Sequence, residues 1–194
     1  MCTIKLPATA LATILTFTVP MIHGETIEIH AQQLAIISPP QNDSSIRHGA
    51  RLLMKFDFPD SLFGKRILFA ELWLPFSLVS LNDTTLRYEV FSISTAWDEN
   101  NVAWDYPWQN PGGDIDSLSC SSRYFTIGSN DALNLDLTSV VREWLNLGRP
   151  NEGFLVTVNF LNLRGLRYNL NPLIPVIRSR LGLRLKFDDG PISY

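Results

Sequence analysis

The sequence predicts an all-β protein, a jelly-roll-like β-sandwich with one short α-helix, preceded by a signal peptide. Three observations lead there. Short runs of alternating apolar and polar residues recur along the chain, bounded by turn-forming residues. One segment alone, opening at Thr138 and closing at Gly148-Arg149-Pro150, switches to helical periodicity. The first two dozen residues have the layout of a secretory leader.

In the leader, Lys5 supplies the positive region, Ala8 to Val19 the apolar stretch, and Pro20-Met21-Ile22-His23-Gly24 the cleavage region, with cleavage placed after Gly24. The apolar stretch carries four threonines and is shorter than the roughly 20 residues a bilayer core requires, so a cleaved leader is favoured over a membrane anchor. Cys2 stands at the start of the leader with no lipobox before it, so it is not a lipidation site. Residues 25–194 then form one domain, with no linker to divide it and enough length for a sizeable core.

The first strand, Arg51 to Phe58, sets Leu52, Met54, Phe56 and Phe58 against Arg51, Lys55 and Asp57. Pro59-Asp60-Ser61-Leu62-Phe63-Gly64 is a turn. Ile67 to Leu74 alternates Leu68, Ala70, Leu72 and Leu74 with Phe69, Glu71 and Trp73. Leu86 to Ile93 is the next strand, with a change of phase between Val90 and Ile93 that implies a bulge. Trp97-Asp98-Glu99-Asn100-Asn101-Val102-Ala103-Trp104-Asp105-Tyr106-Pro107 fits neither a helix nor an unbroken strand and reads as a structured corner. Further strands are Arg123 to Ile127, Ala132 to Leu137, Gly153 to Phe160 and Leu181 to Phe187. Thr138 is the expected helix cap; Val140, Val141, Trp144 and Leu145 form the apolar stripe, Arg142 and Glu143 face solvent, and Gly148 with Pro150 ends the helix. Residues 188–194 read as a short polar tail, and the domain is taken to stand without a catalytic partner or C-terminal anchor.

Composition narrows the partners. The leader holds Lys5 and no acidic residue, so 15 of the 16 basic residues remain against 19 acidic ones, a net charge of −4. That balance gives no electrostatic case for nucleic acid or for an anionic membrane surface. Cys120 is the one cysteine left after cleavage, which excludes an intramolecular disulfide and makes burial the source of stability. Asn42-Asp43-Ser44 and Asn82-Asp83-Thr84 are glycosylation acceptors only in a host that glycosylates.

Four ordered segments resemble the secreted modules called DNRLRE domains, which are related to carbohydrate-binding modules of alginate-degrading enzymes. Arg51-Leu52-Leu53-Met54-Lys55-Phe56-Asp57 is similar to the family's Arg-x-Leu-Leu-x-Phe-Asp strand, and Ala70-Glu71-Leu72-Trp73-Leu74 to its Ala-x-Leu-x-Leu strand. Trp97-Asp98-Glu99 with Val102-Ala103-Trp104 resembles the Trp-x-Glu to Val-x-Trp corner. Leu135 to Trp144, followed by Asn151-Glu152-Gly153-Phe154, resembles the strand-to-helix passage and the strand after it. Each string is weak alone; their order and spacing carry the resemblance. The literal Asp-Asn-Arg-Leu-Arg-Glu string is absent, and residues 25–48 and 161–177 diverge. The resemblance implies a jelly-roll sandwich, usually non-catalytic, on a secreted or cell-surface protein. The leader also admits the periplasm as a compartment.

Candidate ligand residues are Trp108, Tyr106 and Trp73: the first two open the polar loop Gln109 to Asp114, and the third faces away from the leucines of its strand. Trp97, Trp104 and Trp144 are expected in the core, with Trp108 at least partly exposed. Asp98, Glu99, Asp105, Asp114 and Asp116 are the groups a calcium site or an acid/base pair would draw on, but none follows a metal spacing, so no cofactor is assigned. No nucleophile-elbow, zinc-helix or phosphate-loop motif occurs, His30 and His48 lie in a weakly patterned stretch, and Cys120 has no basic neighbour closer than Arg123. The leading expectation is a polysaccharide-binding or cell-surface structural module. The alternatives are a small hydrolase or lyase using Asp98, Glu99 and Asp105, and an adhesive matrix protein without glycan affinity. Ligand identity and oligomeric state are not legible.

Overall fold

The computed structural model describes residues 24–40, 50–74, 85–126, 133–160 and 178–190. The leader up to His23, both sequons and the divergent stretch 161–177 therefore lie outside the described residues, as do Ile127, Ala132 and the tail beyond Gly190.

Among the described residues, nine strands form two antiparallel sheets: β1 (Glu25–His30), β2 (Gln33–Ile37), β3 (Arg51–Lys55), β4 (Arg66–Leu74), β5 (Thr85–Ile93), β6 (Ile115–Thr126), β7 (Leu133–Asp136), β8 (Phe154–Phe160) and β9 (Gly182–Asp188). One sheet has the order β1-β9-β4-β7 and the other β2-β3-β8-β5-β6. From β3 onward the chain crosses between sheets in the jelly-roll order, with β2 as an added strand beside β3. The all-β sandwich expected from the alternation is the observed architecture.

The alternation becomes rows of buried side chains. Ile29, Leu183, Leu72 and Leu135 stand in register across the four-stranded sheet. Leu34, Met54 and Phe154 do so across the five-stranded one, and Leu52, Val156 and Val90 form its next row. These rows meet as the main core. Burial of apolar surface at about 25 cal/mol per Å² is the main stabilising term.

The helix α1 (Thr138–Leu147) lies against β4 and buries the expected stripe of Val140, Val141, Trp144 and Leu145. Trp144 stands 4.7 Å from Phe154 and 6.0 Å from Phe58, centroid to centroid, so the helix closes one end of the sandwich with aromatic contacts. Its start differs from expectation: Thr138 is the first helical residue rather than the cap. The Asp136 carboxylate, at the end of β7, accepts the Thr138 N–H at 2.9 Å and the Thr138 hydroxyl at 2.5 Å, while that hydroxyl oxygen accepts the Ala70 N–H at 2.9 Å. Helix start and β4 are thus joined by one polar chain. Gly148 ends the helix in the left-handed region at φ 66°.

The remaining differences from expectation are local. β1 and β2 fall in the stretch read as weakly patterned: β1 is an edge strand with only Ile27 and Ile29 turned inward, and β2 has no alternation because both its faces are covered. β3 stops at Lys55, leaving Phe58 beyond the ladder. In β4 the register against β9 slips between Ile67 and Phe69, so Ile67 is buried and Leu68 is not. Arg142, expected to be merely solvated, donates from Nε to the Ile67 carbonyl at 2.8 Å at that slip. The bulge expected in β5 is present, between Val90 and Ser92. β6 begins eight residues before the expected Arg123, because the Ser-rich run that reads as loop pairs with β5 at the sheet edge.

Candidate functional site

The corner from Ser94 to Asp114 folds over the outer face of the five-stranded sheet. Ala35, Leu53, Leu155 and Phe91 form a register row on that face, and Trp97, Trp104 and Trp108 cover it, with Ile37 and Ile93 completing a second core. The corner's polar groups are largely internal. Asp98 opens it as a turn, its carboxylate accepting the Asn100 N–H at 2.8 Å and its carbonyl the Val102 N–H at 2.9 Å. Trp97 Nε1 donates to the Glu152 carbonyl and Trp108 Nε1 to the Ala103 carbonyl, each at 2.8 Å. The Tyr106-Pro107 peptide is cis.

Arg51 ties the corner to β3. Its guanidinium lies 4.9 Å from the Trp104 ring centre, and Nη1 donates to the Gly112 carbonyl at 2.5 Å. A side chain at Gly112 would collide with that guanidinium, and φ there is +93°, so glycine is required. Burial moves the Arg51 pKa below its ordinary value.

Asp114 closes the corner. Its carboxylate accepts the N–H groups of Gln109 at 2.8 Å and Asn110 at 2.9 Å, the Asn110 amide at 3.0 Å and the Thr95 hydroxyl at 2.9 Å. Burial pushes its pKa up, but these donors together outweigh burial and hold the carboxyl below the usual range. Glu99 accepts the Leu34 N–H at 3.0 Å and pairs with Arg178 at 2.6 Å; the backbone bond and then the Arg178 bond depress its pKa.

The three predicted ligand residues do not converge. Trp108 is only 7% exposed, which corrects the expectation of a partly solvent-facing indole: its ring fills the second core and its N–H is satisfied within the loop. Tyr106, two residues earlier, is 59% exposed on the same corner. Trp73 is half-buried on the outer face of the other sheet, in the register row of His30, Gly182 and Asn134. Trp97, Trp104 and Trp144 are buried as expected.

The carboxylates considered for catalysis are dispersed in role as well. Asp98 makes a turn, Glu99 anchors β2, Asp114 is internal, Asp116 pairs with Arg149 at 3.7 Å, and Asp105 is exposed. Among the described residues no group of three or more His, Cys, Asp or Glu is placed to hold a metal ion.

A cleft lies elsewhere, beside α1. Between the 3-10 turn Asp60–Leu62, the end of β3 and the last turn of α1 lies a half-open cleft of about 410 Å³, within the roughly 300–1,000 Å³ of ligand pockets. Phe58 and Trp144 line it, Phe63 stands at its rim 54% exposed, and Lys55, Asp57, Asp60, Arg149 and Asn151 supply polar groups. No family model matches this chain, and no curated protein does. The cleft is therefore read from its own chemistry. Exposed Phe63 and half-buried Phe58 can stack on the C–H face of a sugar, and the carboxylates of Asp57 and Asp60 beside them can accept hydrogen bonds from its hydroxyls. The sequence held one signal for it: Phe63, a large aromatic inside a polar turn.

Proposed function

We propose that this chain is a secreted, non-catalytic β-sandwich module that binds polysaccharide at the surface of a cell or in its surroundings. The observation that carries this reading is the cleft beside α1, where exposed Phe63 and half-buried Phe58 stand next to hydrogen-bonding groups. The leader-like start and the DNRLRE-like strings support it, since both belong with secreted accessory modules. The tryptophan corner is a poorer candidate than the cleft, because its indoles are occupied in packing.

Pulldown on insoluble polysaccharides and a soluble glycan array test the reading. Wild-type protein is expected to bind at least one glycan, and Phe63→Ala to weaken that binding about tenfold with unchanged thermal stability, because Phe63 is exposed. Absence of binding across both formats overturns the reading.

A further inference from the structure

We propose that the cleft beside α1 takes a glycan without anionic groups, with Asp57 and Asp60 accepting hydrogen bonds from sugar hydroxyls or amines. The proposal rests on the polysaccharide-binding reading and adds a ligand class to it.

The ligand class depends on which polar groups of the cleft are still available. Lys55 is paired with Glu152 at 2.9 Å. Arg149 lies 3.1 Å from Glu143 and 3.7 Å from Asp116. The Asn151 side chain is internal, donating to the Phe56 carbonyl at 2.7 Å and accepting the Gly153 N–H at 3.0 Å. Lys55 and the amide are therefore engaged within the fold, and Arg149 is shared between two carboxylates through Nη1.

Asp57 and Asp60 differ from them. Both are exposed, and among the described residues neither carboxylate has a hydrogen bond or an ion pair. What the cleft offers a ligand is thus acceptors next to aromatic faces. Lys55 faces Glu152, and Arg149 faces Glu143 and Asp116, so a uronate or sulfate would compete with those carboxylates for either cation and would meet the carboxylates of Asp57 and Asp60. Hydroxyl and amine donors meet no such barrier. Their hydrogen bonds to carboxylates are charge-assisted, the stronger kind, while Phe58 and Phe63 cover the apolar face of the ring.

The deciding experiment compares oligouronates with their carboxyl-reduced neutral twins and with amine-bearing oligosaccharides, by calorimetric titration of the wild-type protein, Phe63→Ala and the double variant Asp57→Asn/Asp60→Asn. Each neutral twin is expected to bind about tenfold or more tighter than its oligouronate, and the double variant to narrow that gap to about threefold. Both aspartates are exposed, so the double variant keeps its fold, which its melting temperature checks. Oligouronates binding as tightly as their neutral twins, or a gap unchanged in the double variant, overturns the proposal while leaving polysaccharide binding standing. No binding in any class overturns both.

Discussion

Arg51 and Trp104 form a stacked pair across the boundary between β3 and the corner, with guanidinium and indole 4.9 Å apart and the same guanidinium bonded to Gly112. The pair fastens a long loop to a sheet. Arg51→Lys keeps the charge but loses the planar fork, so it is expected to cost about 1–2 kcal/mol. Amide exchange should quicken from Trp104 to Gly113 and stay slow in β3. Uniform quickening of both would mean that Arg51 supports the strand rather than the corner.

The tryptophans of the corner should behave as core. Trp97→Ala, Trp104→Ala and Trp108→Ala are each expected to destabilise by about 3–5 kcal/mol in urea titrations. Tyr106→Ala, at an exposed ring between two of them, should change stability by less than about 0.5 kcal/mol. A neutral Trp108→Ala would return that residue to the list of surface candidates.

Asp114 and Glu99 make stability depend on pH in the acid range. Both have depressed pKa values in the folded chain, so below neutrality the unfolded state binds more protons and stability rises with pH. Their contribution is complete above the unfolded carboxylate range of about 4 and is lost as pH falls through the lower folded values. Asp114→Asn is expected to lower stability by about 2 kcal/mol at pH 7. Melting curves from pH 7 to pH 2 should show wild type and variant converging at the acid end; parallel curves would remove Asp114 from the effect.

Two glycines separate backbone conformation from space. Gly148 has φ +66° and open space where a Cβ would stand, so Gly148→Ala should cost only about 1 kcal/mol. Gly153 has φ +88° and a Cβ there would strike the Met54 carbonyl oxygen, so Gly153→Ala should cost clearly more. Equal melting temperatures for the two variants would contradict that steric difference.

The sandwich was legible where one face of a strand is wet. The last strand alternates Leu183, Leu185 and Phe187 with exposed Arg184 and Lys186, and the sequence reads that way. It failed where both faces are covered: Leu34, Ala35 and Ile37 are all buried, and Leu53 sits beneath tryptophans more than forty residues away. Trp108 was misread for the same reason, because a polar loop gives no local sign that it folds back onto a sheet. The cleft was missed because it joins Asp57 to Arg149 through packing of the helix against the strands, a relation that no local period encodes. Only Phe63 betrayed it.

The pairing of β1 with β9 sets Glu25 opposite Phe187 and His30 opposite Gly182, so the two outermost described strands enter and leave at the same end of one ladder. Tension applied between those two ends would not shear the ladder. It would peel the strands apart one pair at a time, as a zipper opens, at far lower force than simultaneous rupture of all the bonds. Pulled between those two strand ends, the fold would give way first at this seam, shedding β1 while the five-stranded sheet and its tryptophan cover stayed closed.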